Sequence, residues 1–325
     1  MKILVVGGAG YIGSHMVLML SDQENSVVVL DDLSSGHAEA VLGANFVHGG
    51  IENTALLDRL FAEEKFDGVM HFASFIQVGE SVQQPAKYYR NNVVNTINLL
   101  DAMVRHGVRN FIFSSTAAIF GQPDYTPIDE AHPKHPINPY GRSKWMVEQV
   151  LHDYDLAYGL KSVCLRYFNA AGADPEGRIG ERHNPETHLI PLLLQTAAGR
   201  REYAQVFGRD YDTPDGTCIR DYIHILDLCA AHSLALADLV RGGESAVYNL
   251  GNGNGFSVRQ VIDAVREVTN KPIPVVDAPR RAGDPARLVA DSTLARSKLG
   301  WSPVYADLHK IVAHAWHWEK KHIGL

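Results

Sequence analysis

Tyr140 and Lys144 stand four residues apart in the segment NPYGRSK, so on a helix they share one face. A phenol titrates near pH ~10, and bringing it close to neutrality costs about 4 kcal/mol. One ammonium roughly 4 Å away in a partly screened site supplies energy of that order. The pair can therefore work as a proton-abstracting tyrosine supported by a lysine. Thr116 follows the apolar run Phe111-Ile112-Phe113-Ser114-Ser115, and its hydroxyl can donate to or accept from a substrate oxygen. Taken alone, the Tyr-x-x-x-Lys spacing is unspecific, and a hydroxyl after a strand can equally close a local turn. The elements around these residues decide between the readings.

Asn138 fits a helix N-cap and Pro139 the first helical position. The helix is expected to run to about Tyr158, with Gly159 as its stop. It starts after a series of alternating elements. Ile3 to Val6 form a short apolar, β-branched run that suits a buried strand. Gly7, Gly10 and Gly13 follow at three-residue spacing, and Tyr11 to Leu20 have helical periodicity. One glycine permits the tight strand-to-helix turn, one lets the backbone approach a pyrophosphate, and one lets helix and strand pack closely. The next strand, Val27 to Leu30, ends in Asp31, placed to hold the hydroxyls of an adenosine ribose. A carboxylate there repels a 2′-phosphate, which favours NAD over NADP. A positively charged nicotinamide would add to Lys144 in activating Tyr140.

Further strands are expected at Asn45 to His48, Gly68 to Phe72, Asn110 to Ser114 and Ser162 to Tyr167, with helices at Ala55 to Ala62 and Ala86 to Arg105. Strands alternating with helices imply an α/β fold of the Rossmann type, with a doubly wound parallel sheet. In such sheets ligands bind beyond the carboxyl ends of the strands. From Ala170 the texture changes to long Gly-, Pro- and charge-rich stretches at 172–187, 208–218 and 271–287, with helix patterns at 189–199, 226–240 and 257–269. This reads as a smaller, loop-rich α/β substrate domain, and loops of that length are usually functional. The expected division is residues 1–168 for the nucleotide domain, with returns near 217–250, and 169–325 mainly for the substrate domain.

Composition excludes several classes. The 325 residues are 46% hydrophobic and 21% charged, and 30 basic against 37 acidic residues leave a net charge of −7. No basic run or stripe supports nucleic-acid binding. No apolar run approaches the ~20 residues of a membrane span, and the chain enters a strand at once, without a secretory leader. Three scattered cysteines point to a reducing, cytoplasmic setting. The sixteen histidines form no recognisable helical ligand pair, so no metal is expected.

Longer segments carry a more specific signal. GGAGYIGSH (7–15), DDLSSG (31–36), VGESVQQPAKYYRNNV (78–93), FSSTAAIFG (113–121), NPYGRSKWMVEQVL (138–151), LRYFNAAGADP (165–175), VFGRDYDTPDGTCIRDYIHILDL (206–228) and RRAGDPARLVAD (280–291) span most of the chain. In these segments the chain resembles the extended short-chain dehydrogenase/reductases, and among them the NAD-dependent nucleotide-sugar epimerases and dehydratases. The resemblance implies that Thr116, Tyr140 and Lys144 are the catalytic hydroxyl, base and lysine. It implies NAD contacts from Gly7, Gly10, Tyr11, Ile12 and Gly13, and from Asp31, Asp32, Leu33, Ser34, Ser35 and Gly36. Gly50, Ile51, Phe72, Ala73, Ser74 and Asn91 are placed with them, and Phe168 lines the nicotinamide. Asn169, His188, Leu189, Arg220, Arg281, Asp284 and Leu288, together with Thr116 and Tyr140, match contacts to a UDP-sugar. Guanidinium forks suit pyrophosphate, which is the favoured reading for Arg220 and Arg281, with a surface ion pair as the alternative.

The implied reaction is inversion at sugar C4, exchanging UDP-glucose and UDP-galactose through transient oxidation by tightly held NAD. A homodimer is implied through the helices near 90–105 and 140–158. Departures from the family pattern stand at Gly50, where an acid often faces adenine, at Ile76, where a lysine often reaches the cofactor, and at His188, where an asparagine is common. Leu288 occupies the position that gates room for an N-acetyl group. A dehydratase needs an added acid and base, commonly directly after the threonine; Ala117 and Ala118 cannot move protons. Another UDP-sugar (a pentose, a uronic acid or an N-acetylhexosamine) and a catalytically silent NAD-binding protein are the remaining alternatives.

Overall fold

The computed structural model describes residues 1–281 and 283–324. Seven strands build its main sheet: β1 (Lys2–Val6), β2 (Ser26–Asp31), β3 (Asn45–His48), β4 (Gly68–His71), β5 (Asn110–Thr116), β6 (Lys161–Tyr167) and β7 (Ala246–Leu250). They are all parallel, in the order β7-β6-β5-β4-β1-β2-β3. Both faces of this sheet are covered, which is why its strands are continuous apolar runs; Ile3, Leu4 and Val5 are wholly buried. Helices α1 (Tyr11–Asp22) and α6 (Ile225–Val240) pack Met16, Val17 and Leu228 against Ile3 and Val5. On the opposite face α2 (Thr54–Glu63), α3 (Asn95–Arg105) and α4 (Pro139–Tyr158) pack Leu57, Leu99 and Val147 against Leu4 and Val6. The winding reverses between β1 and β4, so a crevice opens there at the carboxyl ends of the strands.

Local signals in α4 are satisfied atom by atom. Asn138 Oδ1 accepts from the Gly141 N–H at 2.8 Å, and Gly159 ends the helix at φ 66°. The long helix expected over Ala86 to Arg105 is instead three segments. Pro85–Tyr89 and α3 are joined by a wide π-type turn at Arg90–Val94. The buried Asn92 explains the interruption. Its side chain accepts from Phe75 N at 2.9 Å and donates to Phe75 O and to Ser143 Oγ, both at 3.1 Å. The widened turn presents this amide inward and ties the loop after β4 to α4.

Three further helices, α5 (Leu189–Ala197), α7 (Val258–Thr269) and α8 (Leu308–Ile323), pack Leu193, Val261 and Ile311 into a separate core. Alongside lie a parallel pair, Ala204–Phe207 with Val275–Ala278, and a three-stranded sheet of Ile219–Arg220, Phe256–Ser257 and Arg287–Leu288. The chain returns to the large sheet through α6 and β7. It returns again at Ala295 and Trp301, a contact that periodicity does not foretell; Trp301 Nε1 donates to Asp227 O at 2.8 Å. No helix among the described residues is long and apolar enough to cross a membrane.

Candidate active site

The glycine turn is shaped by its own backbone. Gly7 has φ +80°, and a Cβ on it would lie 2.5 Å from Ala73 N. A Cβ on Gly13 would collide with the Gly7 carbonyl, whereas one on Gly10 would meet that carbonyl only at 3.5 Å, an ordinary contact. Gly7 and Gly13 thus hold strand and helix together, and Gly10 faces open space. Helix α1 begins at Tyr11 with no side-chain cap and no acid in its first turn. Its first N–H groups, of Tyr11, Ile12 and Gly13, and its positive dipole end therefore point at the crevice. The Tyr11 side chain itself turns toward the second region, donating to Gly172 O at 2.7 Å.

Asp31 ends β2 nearly buried. Its Oδ2 accepts from Ala9 N at 2.9 Å and its Oδ1 from Leu33 N at 2.8 Å, and each oxygen keeps a lone pair for a further donor. Burial raises its pKa, and those two N–H bonds oppose the rise. The crevice beside it is lined by Gly7, Gly10, Asp31, Asp32, Ser34, Ser35, Gly50, Ile51, Phe72, Ala73, Ser74 and Asn91. Leu33 at φ 59° and Gly36 belong to the loop that closes it; the His37 N–H bonds Ala9 O at 2.9 Å. A Cβ on Gly50 would run into the Glu52 carboxylate, which also lines the crevice. An acid therefore does stand at this wall, from two residues further along. The donors, the open Gly10 face and the free helix terminus fit an NAD.

Thr116 ends β5, and its hydroxyl oxygen accepts from Ala118 N at 3.1 Å. The strand end and the first turn of α4 bring Tyr140 to it. Burial raises the Tyr140 pKa, and a hydrogen bond with Thr116 pulls the other way. Lys144 is 2% exposed, and its ammonium donates to Ser74 Oγ and to Ser114 O, both at 2.8 Å. Burial brings its pKa down to about 7, against the attraction of Glu148. Lys144 is thus held between β5 and the loop after β4, and burial is the largest influence on the phenol in this arrangement. Behind the pair lies a buried layer that the reading above overlooks. Glu148 accepts from Ser115 Oγ at 2.6 Å and from Arg166 Nε at 3.0 Å. Its position four after Lys144 was the available signal.

The positions matched to a UDP-sugar come from scattered elements. Phe168 and Leu288 pack on the cluster of Ala117, Ile119, Phe120 and Ile128 that follows Thr116. The Asn169 side-chain amide donates to Asp221 O at 3.1 Å. Arg220 donates to Pro285 O at 2.8 Å and lies 3.4 Å from Asp284, so the ion-pair alternative for this arginine is present. Register puts Leu288 beside Arg220 on the neighbouring strand. Arg281 is exposed and stacks 3.9 Å from the Phe207 ring centroid. Asp221, absent from the expected set, accepts from Asn252 N, Gly253 N and Ala290 N and fixes these strands together. Leu189 opens α5 and packs on the second core. His188 turns to Glu181 and Glu186. Those three and His183 form a cluster of metal-type ligands, a grouping not anticipated because it sits on a loop and not on a helix face.

The model of the NAD dependent epimerase/dehydratase family matches residues 3–251. The chain is 55% identical over 322 residues to the UDP-glucose 4-epimerase of Halalkalibacterium halodurans, covering 99% of this chain and 96% of that protein. It is 53% identical over 320 residues to that of Rhizobium meliloti, covering 98% and 97%. A solved structure of UDP-glucose 4-epimerase from Brucella ovis in complex with NAD superposes with a TM-score of 0.95 at 50% identity, over 98% of each chain. With a cradle, an ordered hydroxyl–phenol–ammonium set and likeness along its whole length, the chain belongs to the NAD dependent epimerase/dehydratase family.

Proposed function

We propose that this chain is a UDP-glucose 4-epimerase, exchanging UDP-glucose and UDP-galactose at sugar C4 with NAD held through every turnover. The observation that carries this reading is that Lys144 bonds Ser74, which lines the crevice that fits NAD, while Tyr140, one turn earlier on the same helix, reaches Thr116 at the end of β5. Gly7, Gly10 and the N-terminus of α1 hold the pyrophosphate, Asp31 the adenosine ribose, and Lys144 with Phe168 the nicotinamide end. Bound NAD supplies reversible oxidation at C4 and, when oxidised, a positive ring that favours the phenolate. Tyr140 removes the proton of the 4-hydroxyl and later returns it, and the Thr116 hydroxyl, shared between the phenol and the substrate oxygen, orients the two. Lys144, fixed by Ser74 and Ser114, keeps a donor at the ribose side of the site. One phenol serves both directions, so the sugar and not the protein must turn between the two proton transfers.

Arg220 and Arg281 take the pyrophosphate of the substrate, with Asp284 releasing Arg220 to do so, and Asn169, His188 and Leu189 line the nucleotide. Ala117 and Ala118 leave no acid–base pair for water elimination, which argues against a dehydratase. The division into a nucleotide part over 1–168 with returns near 217–250 and a substrate part over 169–325 belongs to the same reading. So does a homodimer, supported by exposed apolar side chains on the two helices concerned: Val94, Met146 and Leu156 at 53%, 44% and 76% exposure. A cytoplasmic setting is supported by three cysteines that are all free.

The test is a panel of UDP-sugars assayed for C4 inversion without added NAD. UDP-glucose and UDP-galactose should interconvert, and NAD should remain with the protein through dialysis. Turnover that depends on added NAD, or a panel in which neither hexose inverts, would overturn the reading.

A further inference from the structure

Glu181, His183, Glu186 and His188 follow one another within eight residues, in the loop before α5. Each can offer one ligand atom, and these atoms all lie within 4.8 Å of one another. The carboxylates are secluded, each side chain being only 6% exposed. His183 Nδ1 is 3.3 Å from Glu181 Oε1 and 3.6 Å from Glu186 Oε2. His188 Nδ1 is 3.4 Å from Glu186 Oε1 and 2.6 Å from Glu181 Oε1. A tetrahedral ion with bonds of ~2.0–2.2 Å separates its ligand atoms by about 3.3–3.6 Å. The His183–Glu181 contact already has that spacing. Each ring reaches Glu186 at that spacing through a different oxygen, so one ring must shift to share an oxygen with the other. The His188–Glu181 contact needs to open by about 0.7 Å.

A second observation concerns hydrogen bonds. Glu181 Oε1, His183 Nδ1 and His188 Nδ1 are buried, and among the described residues none makes an aligned hydrogen bond. Imidazolium rings paired with carboxylates would aim their N–H groups at the oxygens. Here the ring nitrogens approach the carboxylates without that alignment, as ligands around a common centre do. When a metal displaces the ring protons, the two carboxylates leave a charge of −2 out of water, which a divalent cation cancels. Glu186 is oriented for the task, its Oε1 accepting from Thr187 N at 2.7 Å and His188 N at 2.9 Å.

We propose that these four side chains bind one zinc ion. Two imidazoles and two carboxylates suit a borderline divalent metal, and four protein ligands leave no open position, so the ion is structural. Its place gives it something to hold. The His183 ring packs edge-on to Tyr11, 6.2 Å between centroids, and Arg182 pairs with Glu39 at 2.5 Å while its carbonyl lies 3.3 Å from His37 Nε2. The ion therefore fastens the loop before α5 against the start of α1 and the loop after β2.

The test uses the full chain, stripped with a chelator, dialysed and given Zn²⁺ alone. We expect one zinc per chain by elemental analysis and a rise in Tm of roughly 4–8 °C. Both should be lost in Glu181→Gln combined with His183→Gln. The cobalt form of the unaltered chain should show the intense visible absorption of a four-coordinate site, and His183→Cys should add thiolate-to-metal charge transfer. The last two readings do not depend on the double variant folding. Much less than one zinc per chain, equal zinc in the double variant, no change in Tm, or a cobalt spectrum indifferent to His183→Cys would each overturn the proposal; the first and third would leave the cluster as proton-sharing ion pairs. None of these readings depends on the identity of the sugar.

Discussion

The cradle between β1 and α1 and the strands around Arg220 contribute to one site by opposite means. In the cradle the backbone does the work. Gly7 and Gly13 are confined by main-chain atoms, Gly13 by the turn itself and Gly7 by Phe72 and Ala73 after the neighbouring strand. Around Arg220 the side chains do it. Ile219–Arg220, Phe256–Ser257 and Arg287–Leu288 are strands of two residues each, held by the Asp221 carboxylate and gathered from distant parts of the chain. The first design leaves no freedom for change, because a methyl group has nowhere to go. The second tolerates change in shape and converts it into a change of preference. Tyr140 stands at the seam, on a helix anchored to the rigid half and facing the adaptable one.

The seam should give the largest effect. Tyr140→Phe is expected to lower kcat by about 10³-fold or more while UDP-sugar binding, followed by calorimetry, is kept. Near-normal turnover would remove Tyr140 as the base. Lys144→Met should cost about 10²-fold, and here the pH dependence is diagnostic. Burial raises the Tyr140 pKa, so without the ammonium its ionised fraction grows tenfold with each pH unit below that pKa. The unaltered protein loses its ammonium above a pKa of about 7, which offsets the growing phenolate, so the variant's kcat should climb more steeply with pH between 7 and 9; equal slopes would separate Lys144 from the phenol.

Gly7→Ala probes the rigid half. A Cβ 2.5 Å from Ala73 N at φ +80° should destabilise the fold by about 2–4 kcal/mol and release NAD on dialysis. A variant that keeps its Tm and its nucleotide would show that the cradle yields, and the contrast between the halves would fail. Leu288→Ser probes the adaptable half, where Leu288 packs with Phe168 near Thr116. It should raise turnover of UDP-N-acetylglucosamine several-fold, about 1 kcal/mol, with little change in Tm. No gain would mean that this wall is as fixed as the cradle.

Elements with local causes were readable before any contact was known. The cap at Asn138, the stop at Gly159 and the strand–glycine–helix run from Lys2 to Asp22 are decided by residues within a few positions of each other. The interrupted helix at Arg90–Val94 was not readable, because its cause is an amide bonded to Phe75, 17 residues away. The partners of Lys144 were not readable either, since Ser74 and Ser114 meet it only once β4 and β5 are side by side.

By itself, then, the amino-acid order determined a dinucleotide turn, an acid at the end of the second strand, and a tyrosine and lysine on one helical face. Those follow from φ preferences, helix spacing and strand burial, which act over a turn or two of chain. Tertiary structure alone decided that Glu52 stands where Gly50 offers nothing, that Arg220 pairs with Asp284, and that two acids and two histidines converge before α5. It also decided that the phenol of Tyr140 is buried, which raises its pKa. Charge interactions and desolvation depend on distances between segments, and no spacing along the chain specifies those.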